Sequence, residues 1–69
     1  MSSMCTFRFC TDKSFKKVAW ALLETPFTFS VEYGKVKLGL DRCITVYGDK
    51  AIDNVRNACK EAGISYLEI

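Results

Sequence analysis

Apolar and polar positions along this chain follow two periods, and the switches between them mark its elements. Cys5, Phe7 and Phe9 alternate with Thr6 and Arg8, the period of a half-buried strand with its phenylalanines inward. The period then lengthens. Phe15, Val18, Ala19 and Leu22 recur at i, i+3, i+4 and i+7, which predicts a helix from about Lys13 to Glu24 with one apolar stripe. Asp12 is the expected N-cap, and Pro26 makes Thr25 the boundary, because a residue before proline is pushed out of helical geometry. Alternation by two returns in Phe27, Phe29, Val31 and Tyr33, then in Val36, Leu38 and Leu40, and then in Cys43 to Tyr47. Gly34-Lys35 and Asp41-Arg42 suit the intervening turns, and Gly39 weakens the middle segment as a strand. In the second helix Ala51, Ile52, Val55, Ala58, Cys59 and Ala62 share one face. Gly48-Asp49 supplies its turn and cap, and Gly63 followed by Ile64 has the chemistry of a left-handed stop. Ser65 to Ile69 closes the chain as a short strand, with Leu67 and Ile69 expected inward.

The resulting order is β-α-β-β-α-β, with room for an extra hairpin strand. That order resembles the ferredoxin-like α+β sandwich, in which two helices pack on one face of an antiparallel sheet. The likeness is one of architecture and spans residues 1–69 as a single domain. The inward positions of the strand and helix periods predict a core of Phe7, Phe9, Phe15, Leu22, Phe29, Ile44, Val46, Ile52, Val55 and Leu67. The likeness leaves function open, since that fold hosts many activities.

With 69 residues and 49% of them hydrophobic, nearly every apolar side chain is needed for the core, and little interior remains for a deep cleft. Ten basic and eight acidic residues give a formal charge of +2, too balanced to imply an anionic partner. No basic, apolar leader opens the chain, and no run approaches the ~20 apolar residues that span a bilayer. A soluble cytoplasmic protein with no membrane partner is expected. The four cysteines fall in segments that read as regular structure beside ample aliphatic core, so reduced thiols are expected rather than a disulfide scaffold.

Candidate chemistry is sparse. Cys5, Cys10, Cys43 and Cys59 lack the close pairing of a zinc site, and the chain has no histidine, so neither metal nor cofactor is expected. Cys10 ends a strand just before a helix, where the helix dipole favours a thiolate. It lacks the histidine base a cysteine nucleophile usually needs. Asp12 and Asp49 read as caps, the remaining carboxylates as solvated charges, and the four glycines form no phosphate loop. An enzyme is not expected.

Two surfaces stand out. With the phenylalanines inward, the open sheet face carries Thr6, Arg8, Lys35, Lys37, Thr45, Tyr47 and Tyr66 beside Glu32 and Glu68. Arg8, Lys37, Tyr47 and Tyr66 suit RNA binding, although Cys43 to Tyr47 lacks the Gly-Phe-aromatic signature of RNA-recognition motifs. On the first helix, Trp20 lies about 140° from Phe15, off the core stripe and beside Lys16 and Lys17. An exposed tryptophan flanked by lysines is the chemistry of a protein-binding anchor. The function expected first is therefore a non-enzymatic binding protein that modulates or inhibits a larger partner, as small phage and mobile-element inhibitors of this size do. RNA binding through the sheet face is the alternative, and an unpaired edge strand offers a route to a homodimer.

Overall fold

A computed structural model describes residues 3–34 and 42–69. The elements are β1 (Met4–Phe9), α1 (Asp12–Leu23), β2 (Phe29–Glu32), β3 (Cys43–Tyr47), α2 (Asp49–Ala62) and β4 (Tyr66–Glu68). The four strands form one open antiparallel sheet in the order β2-β3-β1-β4. The expected Val36–Leu40 strand, and Lys35 and Lys37 with it, lie outside the described residues.

Both helices cover the same sheet face. Phe7 and Phe9 of β1 and Ile44 and Val46 of β3 meet Phe15, Val18 and Leu22 of α1 and Ala51, Ile52, Val55 and Cys59 of α2 in one buried cluster. The phenylalanine frame of β1 is as the alternation predicts. Phe29 reaches the cluster only from the sheet edge and is half-buried.

Helix ends follow from local chemistry. Thr11, not Asp12, is the N-cap of α1: its Oγ1 accepts a hydrogen bond from Ser14 N at 3.1 Å. Asp12 instead opens the helix, where its charge suits the dipole. At the other end Thr25 N and Oγ1 both donate to Leu22 O, at 3.0 and 2.7 Å. The chain thus turns away just before Pro26. α2 stops at Gly63, whose φ of 67° is left-handed, and Ile64 N donates back to Cys59 O at 2.9 Å.

The last strand departs from expectation. Leu67 lies opposite Arg8 and Tyr66 opposite Phe9, so Tyr66 faces the helices and Leu67 the open side. The Tyr66 ring meets Phe7 edge-on, 5.3 Å between centroids. Leu67 and Ile69 are exposed at 62% and 67%. The cause is the preceding cap. Ile64 packs on the core after Gly63, and a period of two from Ile64 turns Tyr66 and Glu68 inward and Leu67 outward.

Candidate binding surfaces

The open sheet face is built by register. Met4 stands opposite Tyr47, Thr6 opposite Thr45 and Arg8 opposite Cys43. On the outer side Leu67 pairs with Arg8, and Ile69 N donates to Thr6 O at 2.9 Å. Thr6 and Thr45 share a hydroxyl hydrogen bond of 2.8 Å at the centre. Around that polar pair lie the exposed side chains of Met4, Tyr47, Leu67 and Ile69. Cys43 belongs to the same side by register, yet it is buried and lies outside the helix-side cluster.

Of the residues expected on this face, Arg8 and Tyr47 are there. Tyr66 is not, because the register of β4 turns it toward the helices. Glu68 also leaves the open face. Its Oε1 accepts from Arg56 Nε at 3.1 Å, from Arg56 Nη2 at 2.6 Å and from the Cys5 thiol at 3.1 Å. Arg56, on α2, thereby ties the last strand to the second helix. Burial, then the Glu68 hydrogen bond, pushes the Cys5 thiol up to about 11, while the Arg56 hydrogen bond, then that from Cys5, holds Glu68 below the usual carboxylate range. That thiol is a structural donor rather than a nucleophile.

A second surface lies on α1. Trp20 is 69% exposed, as its place on the helical wheel predicts, and Lys16 and Lys17 are exposed with it. Leu23, one turn on, is exposed at 62%. Periodicity does not single Leu23 out, because it adjoins Leu22 of the core stripe in the chain. The first turn of α1 meets Tyr33, just past the end of β2. Asp12 Oδ2 accepts from the Tyr33 hydroxyl at 3.0 Å, and the Phe15 and Tyr33 rings stack with centroids 5.5 Å apart.

A shallow depression of about 280 Å³ is lined by Arg8, Phe9, Cys10, Arg42 and Leu67. It falls just below the ~300–1,000 Å³ of ordinary ligand pockets. Arg42 there adopts a left-handed φ of 57°. Its Nε donates to Phe9 O at 3.2 Å, and its Nη1 lies 3.6 Å from Asp12 Oδ1. Cys10 is exposed at the rim. Among the described residues no group of three or more Cys, Asp or Glu is placed to hold a metal ion, and no helix is long and apolar enough to cross a membrane.

No protein-family model, curated protein or solved structure matches this chain.

Proposed function

We propose that this is a small non-enzymatic binding protein of ferredoxin-like architecture whose open sheet face docks on a larger protein and modulates or inhibits it. One observation carries the reading: Met4, Tyr47, Leu67 and Ile69, 40–67% exposed, share the sheet face opposite both helices. Scattered surface apolar residues are ordinary, but several gathered on a regular element mark a contact surface. Arg8 beside Leu67, with Tyr47 opposite Met4, adds two residue types enriched among binding hot spots. RNA binding is less well supported. Three of the four side chains are aliphatic, whereas single-stranded RNA needs aromatic platforms. Cys59 is packed in the core as a small apolar side chain, which suits a reducing compartment such as the cytoplasm.

The test uses the whole chain as bait in extracts of the cells that make it. Leu67→Asp and Ile69→Asp lie on the surface and are expected to keep the thermal midpoint within a few degrees. Each should abolish capture of a protein that the wild type retains in high salt. Capture that disappears steeply with salt, together with nucleic acid in the eluate, would replace the protein reading with the RNA one.

A further inference from the structure

We infer that the outer face of α1, on the layer opposite the open sheet face, is a second docking surface, which takes an acidic segment of a partner protein with the Trp20 indole as its anchor.

At about 100° per residue, Trp20, Lys13 and Lys17 fall within about 60° of arc. Phe15, Val18 and Leu22, on the other side of the helix, are buried in the core. Lys16 and Leu23 flank the indole at i−4 and i+3, and all five of these outer side chains are exposed. Trp20 itself is 69% exposed and stands outside the core cluster. An indole left in water costs solubility without adding to the fold, and tryptophan is among the residue types most enriched at binding hot spots. Tyr33 and Arg42 meet α1 at Asp12. Trp20 stands eight residues further along the helix, a rise of about 12 Å.

The charges around the indole select its occupant. Among the described residues no carboxylate pairs with Lys13, Lys16 or Lys17. Asp12, the carboxylate one turn before Lys16, is already engaged by Arg42 and the Tyr33 hydroxyl. Three lysines thus stand unneutralised on the N-terminal side of Trp20, and Glu24 stands at i+4 on the other side. The complementary surface has an apolar pocket for the indole and carboxylates displaced about 5–10 Å from it toward the start of α1. That asymmetry fixes the direction in which an acidic segment lies along the helix, since reversal would set its carboxylates against Glu24.

Other occupants fit less well. A second copy of the chain would set the same excess of lysine against itself. An interfacial membrane helix separates an apolar face from a basic one, whereas here the lysines and Trp20 interleave. Single-stranded RNA stacks on successive aromatic rings, and this face of α1 carries one, Trp20. Because the sheet and core lie between the two surfaces, both can be occupied at once, and the protein then joins an acidic partner to the one held by the open face. The joining rests on the open-face proposal, and the acidic docking does not.

The experiment selects random-sequence peptides displayed on phage against the immobilised full chain, with the Trp20→Ala variant as counter-selection. Peptides rich in aspartate and glutamate, each with a large apolar residue, are expected to be enriched. One of them that lacks tryptophan is then titrated into the full chain. Trp20 is the single tryptophan, so a blue shift of its emission reports this surface alone. Lys16→Glu combined with Lys17→Glu should raise the dissociation constant roughly tenfold or more. Leu67→Asp, on the open face, should leave it within about twofold. Trp20→Ala should keep the circular dichroism of the wild type and a thermal midpoint within a few degrees. No enrichment, or enrichment of peptides without an acidic excess, overturns the inference. So does a collapsed midpoint in Trp20→Ala, which would place the indole in the fold, or peptide binding that Leu67→Asp weakens. A blue shift produced equally by phosphatidylserine vesicles or by polyuridylate would replace the protein partner with lipid or RNA. Loss of this site leaves the open-face proposal standing, because that rests on capture by Leu67 and Ile69.

Discussion

Glu68 Oε1 accepts from both Arg56 and Cys5, and together with the burial of the Cys5 thiol this makes stability depend on pH at both ends of the scale. The carboxyl is held below its ordinary range by Arg56, then by Cys5. Its contribution is therefore full above the unfolded carboxylate range and is lost as pH falls through the lower folded value. The Cys5 thiol, raised from 9.0 to about 11, acts in the opposite sense. Its contribution is full below pH 9 and is lost as pH rises toward 11. The denaturation midpoint is expected to fall across that alkaline window, and Cys5→Ala should flatten the decline. An unchanged slope would assign it elsewhere, to the Tyr33 phenol or the Cys59 thiol, which are raised as well. The cysteines should also separate by accessibility. In the native protein a thiol reagent should modify exposed Cys10 first, and Cys43 and Cys59 only on unfolding. Rapid native labelling of Cys59 would contradict its place in the core.

Elements are legible in the sequence where two signals agree. β1 and both helices combine a period with a boundary residue: Pro26 after α1, Gly63 after α2. The last strand has two apolar frames, Ile64-Tyr66 and Leu67-Ile69, and alternation alone selects the wrong one. The deciding information is the stop at Gly63, since a helix that ends by packing Ile64 inward has already chosen the frame of the next strand. Gly63→Ala should accordingly cost about 1 kcal/mol, from the left-handed backbone alone, because an added Cβ at Gly63 meets nothing within 4 Å. A larger loss in the denaturation midpoint, with β4 amides exchanging fast, would show that cap and strand form as one unit. Leu67→Ala should change stability by no more than about 0.5 kcal/mol, against the severe loss its expected core place would entail. Glu68→Gln removes the charge that ties β4 to α2 and should speed amide exchange at Tyr66–Glu68 before any other strand.

At the scale of the whole molecule, the core is more legible in the sequence than the surfaces are. Phe7, Phe9, Ile44 and Val46 fall where alternation puts them, because a one-residue slip would expose all four at once. Phe9→Ala should cost about 3–5 kcal/mol, against about 3–10 kcal/mol for 69 residues at roughly 0.05–0.15 kcal/mol per residue, and so remove a large share of the stability. A Phe9→Ala variant that kept most of its stability would contradict the buried place of Phe9 in the core. Surfaces carry no such penalty for a slip, so the sequence separates Trp20 from the core but not Tyr66 from the open face. Leu23 is hidden for a related reason: one apolar residue beside a core stripe looks like part of it.

The strand order has a further consequence, which belongs to time. β1 is made first but lies inside the sheet, and both its partners, β3 and β4, come later in the chain. At synthesis rates of roughly 5–20 residues per second, the 38 residues from Phe9 to Tyr47 take about 2–8 s. Until then Phe7 and Phe9 have only α1 to cover them. A nascent chain stalled before β3 should therefore bind hydrophobic-segment chaperones through Cys5–Phe9, and one released after Glu68 should not. Crosslinking from a photoreactive residue at Thr6 in chains of graded length would follow that handover directly.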